Sequence, residues 1–270
     1  MSDGSVLVVL PTLGDRLTTL RETLESIEAQ RRDVDLRLAL VTPARAMDAR
    51  ELGARYGATL VEDPGTGISN AINAGVLAAE SETYYAWMGD DDLFRPGGLG
   101  RLVGLLEADR GATVAFGGCD YIDPDGRVIG TSNVGRVARW LLPWGPDLIP
   151  HPGSIIRLDA MRSVGLFDPS LKYAMDLDMF LKLQPTGRYR ATRTSVSAFR
   201  WHPDSLTVAN RAASSAESEA VKRRHLPTAL RPVAPLWEAP VRWAAARAAR
   251  GVSRRALRLA EIEKRTSHVG

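Results

Sequence analysis

Four short apolar runs in the first 110 residues predict buried strands, and a segment with helical periodicity follows each of them. Runs of this length are typical of strands that are covered on both faces of a parallel sheet. Between them, apolar residues recur every three or four positions, as on one face of a helix. The predicted strands are 5–10, 36–41, 58–62 and 83–88, and the predicted helices are 16–30, 44–56, 68–79 and 96–108. This alternation predicts an α/β fold with a mostly parallel central sheet flanked by helices.

The pattern is less regular in the second half of the chain. The predicted elements there are a strand at 112–117, a hairpin turn at 119–126, an irregular stretch at 131–150, a helix through 177–183 and two short strands around 189–193 and 196–201. The hairpin turn is predicted because Asp, Pro and Gly are concentrated in it. No internal repeat accompanies these elements, so one α/β unit is expected up to about residue 210.

Three adjacent carboxylates, Asp90, Asp91 and Asp92, directly follow the fourth predicted strand. Ligands bind at the carboxyl ends of parallel strands, and the turns at 11–14 and 63–67 are expected at the same edge of the sheet. Because neighbouring carboxylates repel one another, such a loop is stabilised by a positive group between them. A hard divalent cation, shared with the phosphates of a substrate, meets that need. A solvated acidic turn that caps the next helix is the alternative.

Composition places the chain among globular proteins, with 44% apolar and 25% charged residues. The single cysteine, Cys119, cannot form an intramolecular disulfide, so a reducing compartment is expected. The first residues lack the basic and apolar regions of a signal peptide, and no run of about 18 apolar residues is present. These features together predict a cytoplasmic protein.

Positive charge is concentrated near the C-terminus. The whole chain carries a net charge of +3, whereas residues 222–265 carry twelve Lys or Arg against three Glu, a net charge of +9. Apolar residues recur every three or four positions from Trp237 to Leu259, which predicts an amphipathic helix. Two interpretations stay open: peripheral association with an anionic membrane, or packing on its own domain or on a second subunit of a homodimer.

Six short motifs occur in one order between residue 5 and about residue 205. They are VLPT at 9–12, GISNAINAG at 67–75, MGDDDLFRPG at 88–97, HPG at 151–153, GLFD at 165–168 and AMDLDMFL at 174–181. In this order and spacing the chain resembles the family 2 glycosyltransferases, which are inverting enzymes with a GT-A type, Rossmann-like fold. The resemblance implies a nucleotide-sugar-binding half at 1–118 and an acceptor and catalytic-base half at 119–210, before a helical basic extension at 211–270.

The resemblance also implies an activity and a cation. A sugar would pass from a nucleoside-diphosphate-sugar donor to a hydroxyl group on a glycan, a lipid-linked acceptor or a natural product. Mn²⁺ or Mg²⁺ would be held by Asp91 first. Asp90 would contact the nucleotide ribose or share the cation, and Asp92 would be a neighbouring ligand or a supporting group of the nucleotide site. His202 is a further candidate metal ligand, although a structural histidine is the alternative. No nucleic acid is expected as a partner.

Further residues match the nucleotide site and the catalytic base of that family. Asp176 matches the general base, and the alternative for it is a helix N-cap. Asp178 is a fallback base, His151 is expected to shape the acceptor pocket, and Arg200 is a candidate partner of the diphosphate. The candidate contacts of the nucleotide are Pro11, Thr12, Asp63, Asn70 and Asn73.

Two other functions compete with this interpretation. A sugar-nucleotide-forming nucleotidylyltransferase would need a glycine-rich basic loop after the first strand, and the sequence PTLGDR at 11–16 has a single glycine. A degenerate domain that only binds a partner or a membrane would lack the metal and base carboxylates, yet Asp91 and Asp176 are both present.

Overall fold

The computed structural model describes residues 4–133, 135–201, 210–243 and 247, and the statements below concern these residues. The strands are β1 (Val6–Pro11), β2 (Leu36–Thr42), β3 (Thr59–Glu62), β4 (Tyr84–Trp87), β5 (Leu93–Phe94), β6 (Ala112–Ile122), β7 (Val128–Ser132), β8 (Ser154–Arg157) and β9 (Arg188–Arg200). The α-helices are α1 (Leu17–Glu28), α2 (Met47–Arg55), α3 (Ile68–Leu77), α4 (Gly98–Glu107), α5 (Val137–Leu141), α6 (Leu158–Val164), α7 (Met175–Leu183) and α8 (Arg211–His225), with a further helical segment at 235–243. Short 3₁₀ helices lie at Ala29–Arg32, His151–Gly153 and Thr228–Val233.

One central sheet contains all of these strands, in the order β3-β2-β1-β4-β8-β6-β9-β5, with β7 paired to β6. β1 pairs in parallel with both β2 and β4, and β2 pairs in parallel with β3. The four predicted N-terminal strands are therefore confirmed, and their carboxyl ends lie at one edge of the sheet. The other half is mixed, because β8 runs antiparallel to both β4 and β6 while β9 runs parallel to β6.

Two hydrophobic clusters cover the two faces of the sheet, which explains why the N-terminal strands are continuously apolar. Alternate residues of a strand point to opposite faces. Leu7 and Val9 of β1 accordingly pack in a cluster with side chains of α3, α6 and α7, and Val6 and Val8 pack in a second cluster with side chains of α1 and α4. Every residue of β1 is buried, so this strand lies at the centre of the α/β layers.

Several elements of the second half of the chain differ from the prediction. β6 continues to Ile122, because its hydrogen-bonded pairing with β7 and β9 extends beyond the apolar run. The connection between β6 and β7 is therefore confined to residues 123–127. β9 is one long strand with register shifts, where two short strands were expected. β5 was not predicted, and the stretch expected to be irregular contains α5.

The C-terminal segment packs on the body of the protein as far as the structure describes it. Val221 of α8 belongs to the cluster that contains α3 and α7. The buried Lys222 donates a hydrogen bond from Nζ to the carbonyl of Gly145, and the Glu217 carboxylate accepts the backbone N–H of Lys172 at 2.8 Å. Packing on its own domain is thus observed for α8, while most of the predicted amphipathic helix lies outside the described residues. Within the described part of the chain, no helix combines the length and apolar character needed to cross a membrane.

Candidate active site

The ends of two adjacent strands bring Asp90, Asp91 and Asp92, here called the aspartate loop, against the loop that follows β1. Thr12 follows β1 and Asp90 follows β4, and the two strands are paired in parallel. The Thr12 hydroxyl donates a hydrogen bond of 2.6 Å to Oδ2 of Asp90. Both side chains are buried, so the Asp90 carboxylate is fixed in place by the sheet itself. The structure therefore brings together two of the predicted site residues that are 78 positions apart.

Arg16 lies across the aspartate loop. Its Nη1 donates a hydrogen bond of 2.5 Å to Oδ2 of Asp91, and its Nη2 donates to Oδ1 of Asp90. One guanidinium thus bridges two neighbouring carboxylates. Sequence reasoning missed this residue, although its position in the loop after β1, at the same edge of the sheet, was a usable signal.

Burial disfavours the ionised form of Asp90. The residue is 3% exposed, and burial raises its pKa to about 6, against the opposing effects of the Thr12 hydroxyl and the Arg16 charge. A buried carboxylate stays ionised where a hydrogen-bond donor or a cation compensates for the lost water, and Thr12 and Arg16 provide one of each here.

Asp92 points into the protein, where it anchors the loop. Its Oδ1 accepts the backbone N–H of Arg200 at 3.0 Å, and its Oδ2 lies 3.5 Å from Nε2 of His151. Burial raises its pKa, and the hydrogen bond and charge of His151 oppose that effect. Through these contacts Asp92 supports the site. A contact of Asp92 with the nucleotide stays a prediction.

The expectation that Arg200 faces a diphosphate is wrong. Its side chain is 4% exposed, and it donates to backbone carbonyls, at 3.0 Å to Asp91 and 2.5 Å to Pro124. It also forms an ion pair with Glu22. A guanidinium that is buried among these acceptors holds the backbone of the aspartate loop, and sequence could not distinguish that role from phosphate binding.

Asp176 lies in the first turn of α7 and faces the aspartate loop from the other half of the sheet. Its Oδ1 accepts a hydrogen bond of 3.0 Å from the indole Nε1 of Trp87, the last residue of β4. The N-cap residue of α7 is Ala174, so the alternative interpretation of Asp176 as the N-cap is wrong. Burial raises the pKa of Asp176, and the charge of His151 and the Trp87 hydrogen bond oppose it.

His151 lies between the two groups of carboxylates. Its ring stacks on Trp87, with centroids 4.1 Å apart and planes at 12°, and its Nδ1 is 3.9 Å from Oδ2 of Asp176. Burial lowers the pKa of His151, but the hydrogen bond to Asp92 and the charges of Asp176, Asp92 and Asp147 outweigh it, so the pKa lies above its usual value. The His151 ring thus bridges the aspartate loop and Asp176, a role that the sequence did not reveal.

A sequence profile of Glycosyl transferase family 2 matches residues 7–154, which is more than half of the 270 residues. The chain belongs to this family. It is 28% identical to an uncharacterized glycosyltransferase of Rickettsia typhi over 127 residues, and 24% identical to one of Rickettsia prowazekii over 177 residues. The alignments cover 43% and 60% of this chain, and 38% and 54% of those relatives. The chain therefore spans between about a third and just over half of the curated relatives it matches.

Solved structures share the fold. A mannosyltransferase from Pyrobaculum calidifontis, in complex with GDP-Man and Mn²⁺, superposes with a TM-score of 0.64 and 20% identity over 96% of this chain and 79% of its own. Residues 1–349 of S. aureus TarS, in complex with UDP-GlcNAc, superpose with a TM-score of 0.62 and 14% identity over 82% of this chain and 65% of that one. These likenesses confirm the GT-A type fold that the resemblance implied.

The other predicted nucleotide contacts have local partners. Pro11 ends β1 opposite Val41. Oδ1 of Asp63 accepts the backbone N–H of Gly65 at 2.9 Å, and the Asn70 amide donates to the Thr66 hydroxyl at 2.8 Å. The Asn73 amide both donates to and accepts from the backbone of Phe167, at 2.9 and 3.0 Å, which joins α3 to the loop before α7. Contacts of these four residues with a nucleotide stay predictions.

Asp178, the fallback base, has a structural role. It is 1% exposed, and its carboxylate pairs with Lys182 at 2.7 Å and with His225 at 2.8 Å. Burial opposes ionisation, but these two partners hold the pKa of Asp178 below its ordinary value. The side chain links α7 to α8 and is satisfied there, which leaves Asp176 as the candidate base.

The residues present fit a divalent cation that arrives with phosphate oxygens. Among the described residues, no three His, Cys, Asp or Glu side chains form a group that could hold a metal by themselves. Asp90 and Asp91 nevertheless converge on one cationic group, the Arg16 guanidinium. Mg²⁺ sites in proteins often combine one or two carboxylates with the phosphates of a substrate. The third predicted ligand, His202, lies outside the described residues.

Proposed function

We propose that the chain is an inverting glycosyltransferase that moves a sugar from a nucleoside-diphosphate-sugar donor to a hydroxyl acceptor. Membership of the family supports sugar transfer, and the two solved relatives whose complexes contain GDP-Man or UDP-GlcNAc support a nucleotide-sugar donor. The observation that carries the proposal is the pair formed by the aspartate loop and Asp176, which His151 and Trp87 hold together.

Asp90 and Asp91 would hold Mn²⁺ or Mg²⁺, which when bound neutralises the charge that develops on a departing diphosphate. The protein contributes the position of this cation, because Thr12 fixes Asp90 and the buried Arg200 holds the backbone of Asp91. The donor would lie along the strand ends of the N-terminal half, residues 1–118, and the acceptor against residues 119–210. Residues 211–270 would form a separate C-terminal extension.

Asp176 would act as the general base. The acceptor hydroxyl gives its proton to this carboxylate while its oxygen forms a bond to the anomeric carbon, and the bond from that carbon to the diphosphate breaks with the electron pair leaving on the diphosphate. Attack from the face opposite the leaving group inverts the anomeric configuration in one displacement. A carboxylate with a raised pKa is a stronger base, and a positioned base typically contributes about 10²–10⁴ in rate.

The first test measures turnover of a panel of nucleoside-diphosphate sugars with Mn²⁺ and with chelator, and determines the anomeric configuration of the product by NMR. Asp176→Asn is expected to reduce kcat by about 10²–10⁴ without loss of folding. Asp159→Asn is the matched control, because Asp159 holds the same second position in α6 and is exposed. Full activity in chelator or in Asp176→Asn, or retention of configuration, would contradict the mechanism.

A complementary binding screen can identify the donor base. Nucleoside diphosphates with Mn²⁺ are expected to raise the unfolding temperature of the chain, since a ligand that binds only the folded state stabilises it by mass action. If pyrophosphate is released from a nucleoside triphosphate and a sugar phosphate, the chain is a nucleotidylyltransferase instead. If Asp91→Ala leaves cellular function unchanged, the domain acts as a binding module.

We also propose that the basic C-terminal segment, residues 222–265, holds the protein at the cytoplasmic face of an anionic membrane. Leu236 and Trp243 are 76% and 63% exposed in the helical segment 235–243, and Arg247 lies over the Trp243 ring at 5.7 Å. Exposed aromatic and basic side chains on one helix favour an interfacial position. Binding to anionic liposomes should weaken with salt. Equal binding by a chain truncated at about residue 221 would exclude this role. A homodimer that forms as the protein concentration rises would support the alternative, packing on a second subunit.

A further inference from the structure

Arg16 has the geometry of a counter-ion that can be exchanged. Its guanidinium contacts Oδ1 of Asp90 and Oδ2 of Asp91 through its two Nη atoms. The Asp90 side chain is 4% exposed and tied to Thr12, whereas 45% of the Arg16 side chain is exposed. The carboxylates are therefore the fixed part of this contact, and the long arginine side chain is the part that can move into solvent.

We propose that Arg16 is an internal counter-cation that occupies the cation position of the Asp90–Asp91 pair and is exchanged for the divalent cation when a metal–nucleoside diphosphate binds. This inference rests on the proposed function, since it concerns the same pair of carboxylates. It adds an order to binding: the metal enters with the diphosphate, because Arg16 weakens the binding of the free ion.

The oxygen atoms in use support the exchange. Oδ2 of Asp90 already accepts the Thr12 hydrogen bond, and Oδ1 of the same carboxylate accepts the Arg16 hydrogen bond. A divalent cation coordinates carboxylate oxygens directly, at about 2.0–2.1 Å for Mg²⁺, which leaves no room for a donor N–H on the same line of approach. Arg16 and the cation therefore compete for the same oxygens.

The contact also explains how the loop tolerates three adjacent carboxylates before a ligand arrives. Without a cation, Asp90 and Asp91 would repel one another beside the buried Asp92. A bridging guanidinium removes that repulsion, because its planar fork donates to two acceptors at once. Once a metal–diphosphate binds, its divalent cation provides two positive charges at the carboxylate pair. The guanidinium is then released beside the phosphates, whose oxygens are new acceptors for its N–H groups.

The test is a calorimetric titration of Mn²⁺ alone into the full chain, with no donor and no acceptor. Arg16→Gln is expected to lower the apparent Kd for Mn²⁺ at least fivefold relative to the unmodified chain. Arg21→Gln, which removes an exposed guanidinium from α1, the helix that follows Arg16, is expected to change it less than twofold. The gain in Mn²⁺ affinity should disappear in the double variant Arg16→Gln with Asp91→Asn. That result would show that the added affinity arises at the carboxylate pair.

An unchanged or higher Kd in Arg16→Gln would overturn the proposal, and so would a gain that persists without Asp91. Arg16→Lys provides a second variant that keeps the charge if Arg16→Gln does not fold. Its ammonium cannot donate to the two carboxylates as a planar fork, so an intermediate Kd is expected. Because Mn²⁺ binding is measured without sugar transfer, failure of this proposal and failure of the transferase mechanism give different results.

Discussion

The indole Nε1 of Trp87 donates a hydrogen bond of 3.0 Å to Oδ1 of Asp176, which lies 89 residues further along the chain. Trp87 ends β4 and is three residues before Asp90, while Asp176 lies in the first turn of α7. A strand and a helix therefore fix the candidate base relative to the aspartate loop. Sites that are built on such elements keep their geometry better than sites on loops alone.

Trp87→Phe tests whether this hydrogen bond tunes the base. The bond favours the ionised carboxylate, so its loss should raise the pKa of Asp176 further. Because only the ionised base accepts a proton, the acid limb of kcat/KM should move to higher pH. Trp140→Phe, at a tryptophan that is 75% exposed, is the control and should leave the pH profile unchanged. An unmoved acid limb in Trp87→Phe would show that the indole only packs there.

The N-terminal half of the fold could be predicted because its signals are local. Continuous apolar runs such as 5–10 and helical periodicity such as 68–79 depend on neighbours in sequence. The second half depends on pairing between distant residues. β9 remains one strand because β6 pairs with it on both sides of its polar stretch, where the register shifts between Ala191 and Ser195, and no local pattern contains that information.

His151→Asn should make the protein less stable, and more so at low pH. The pKa of His151 is raised in the folded state, so its contribution is fully present below the unfolded value, about 6.5, and is lost as pH rises through the folded value. The difference in unfolding temperature between the two proteins should therefore be larger at pH 5.5 than at pH 8.5. A difference that is independent of pH would mean that His151 stabilises the site by stacking on Trp87 alone.

Asp178→Ala should destabilise the protein by about 2–3 kcal/mol, because it leaves Lys182 and His225 without their buried partner. The matched control is Glu51→Ala, which removes the exposed pair with Arg55 and should cost at most about 1 kcal/mol. Urea unfolding measures both. Equal losses in the two variants would contradict the assignment of Asp178 as the link between α7 and α8.

The carboxylates of the candidate site could be identified from the sequence, whereas the contacts of its basic residues could not. Three adjacent carboxylates at a strand end are a local signal, and Asp176 could be carried over from a motif. Arg16 and His151 act through carboxylates that lie far away in sequence, so their roles follow only from the folded chain. Arg200 was assigned to a diphosphate for the same reason: sequence shows a charge near the site, but not the carbonyls that surround it.

Two glycines in helices should respond in opposite ways to alanine. A Cβ at Gly75 of α3 would lie 2.4 Å from Cγ1 of Val9 and 2.9 Å from Cγ2 of Val41, so α3 would have to move away from the sheet. Overpacking of this kind typically costs about 1–3 kcal/mol. At Gly104 of α4 no atom lies within 4 Å of the added Cβ. Because this position is exposed, alanine should raise the free energy of unfolding by about 0.5–1 kcal/mol. Urea unfolding of both variants checks the signs. A neutral Gly75→Ala would mean that α3 does not position the strand ends as closely as the packing of Val9 indicates.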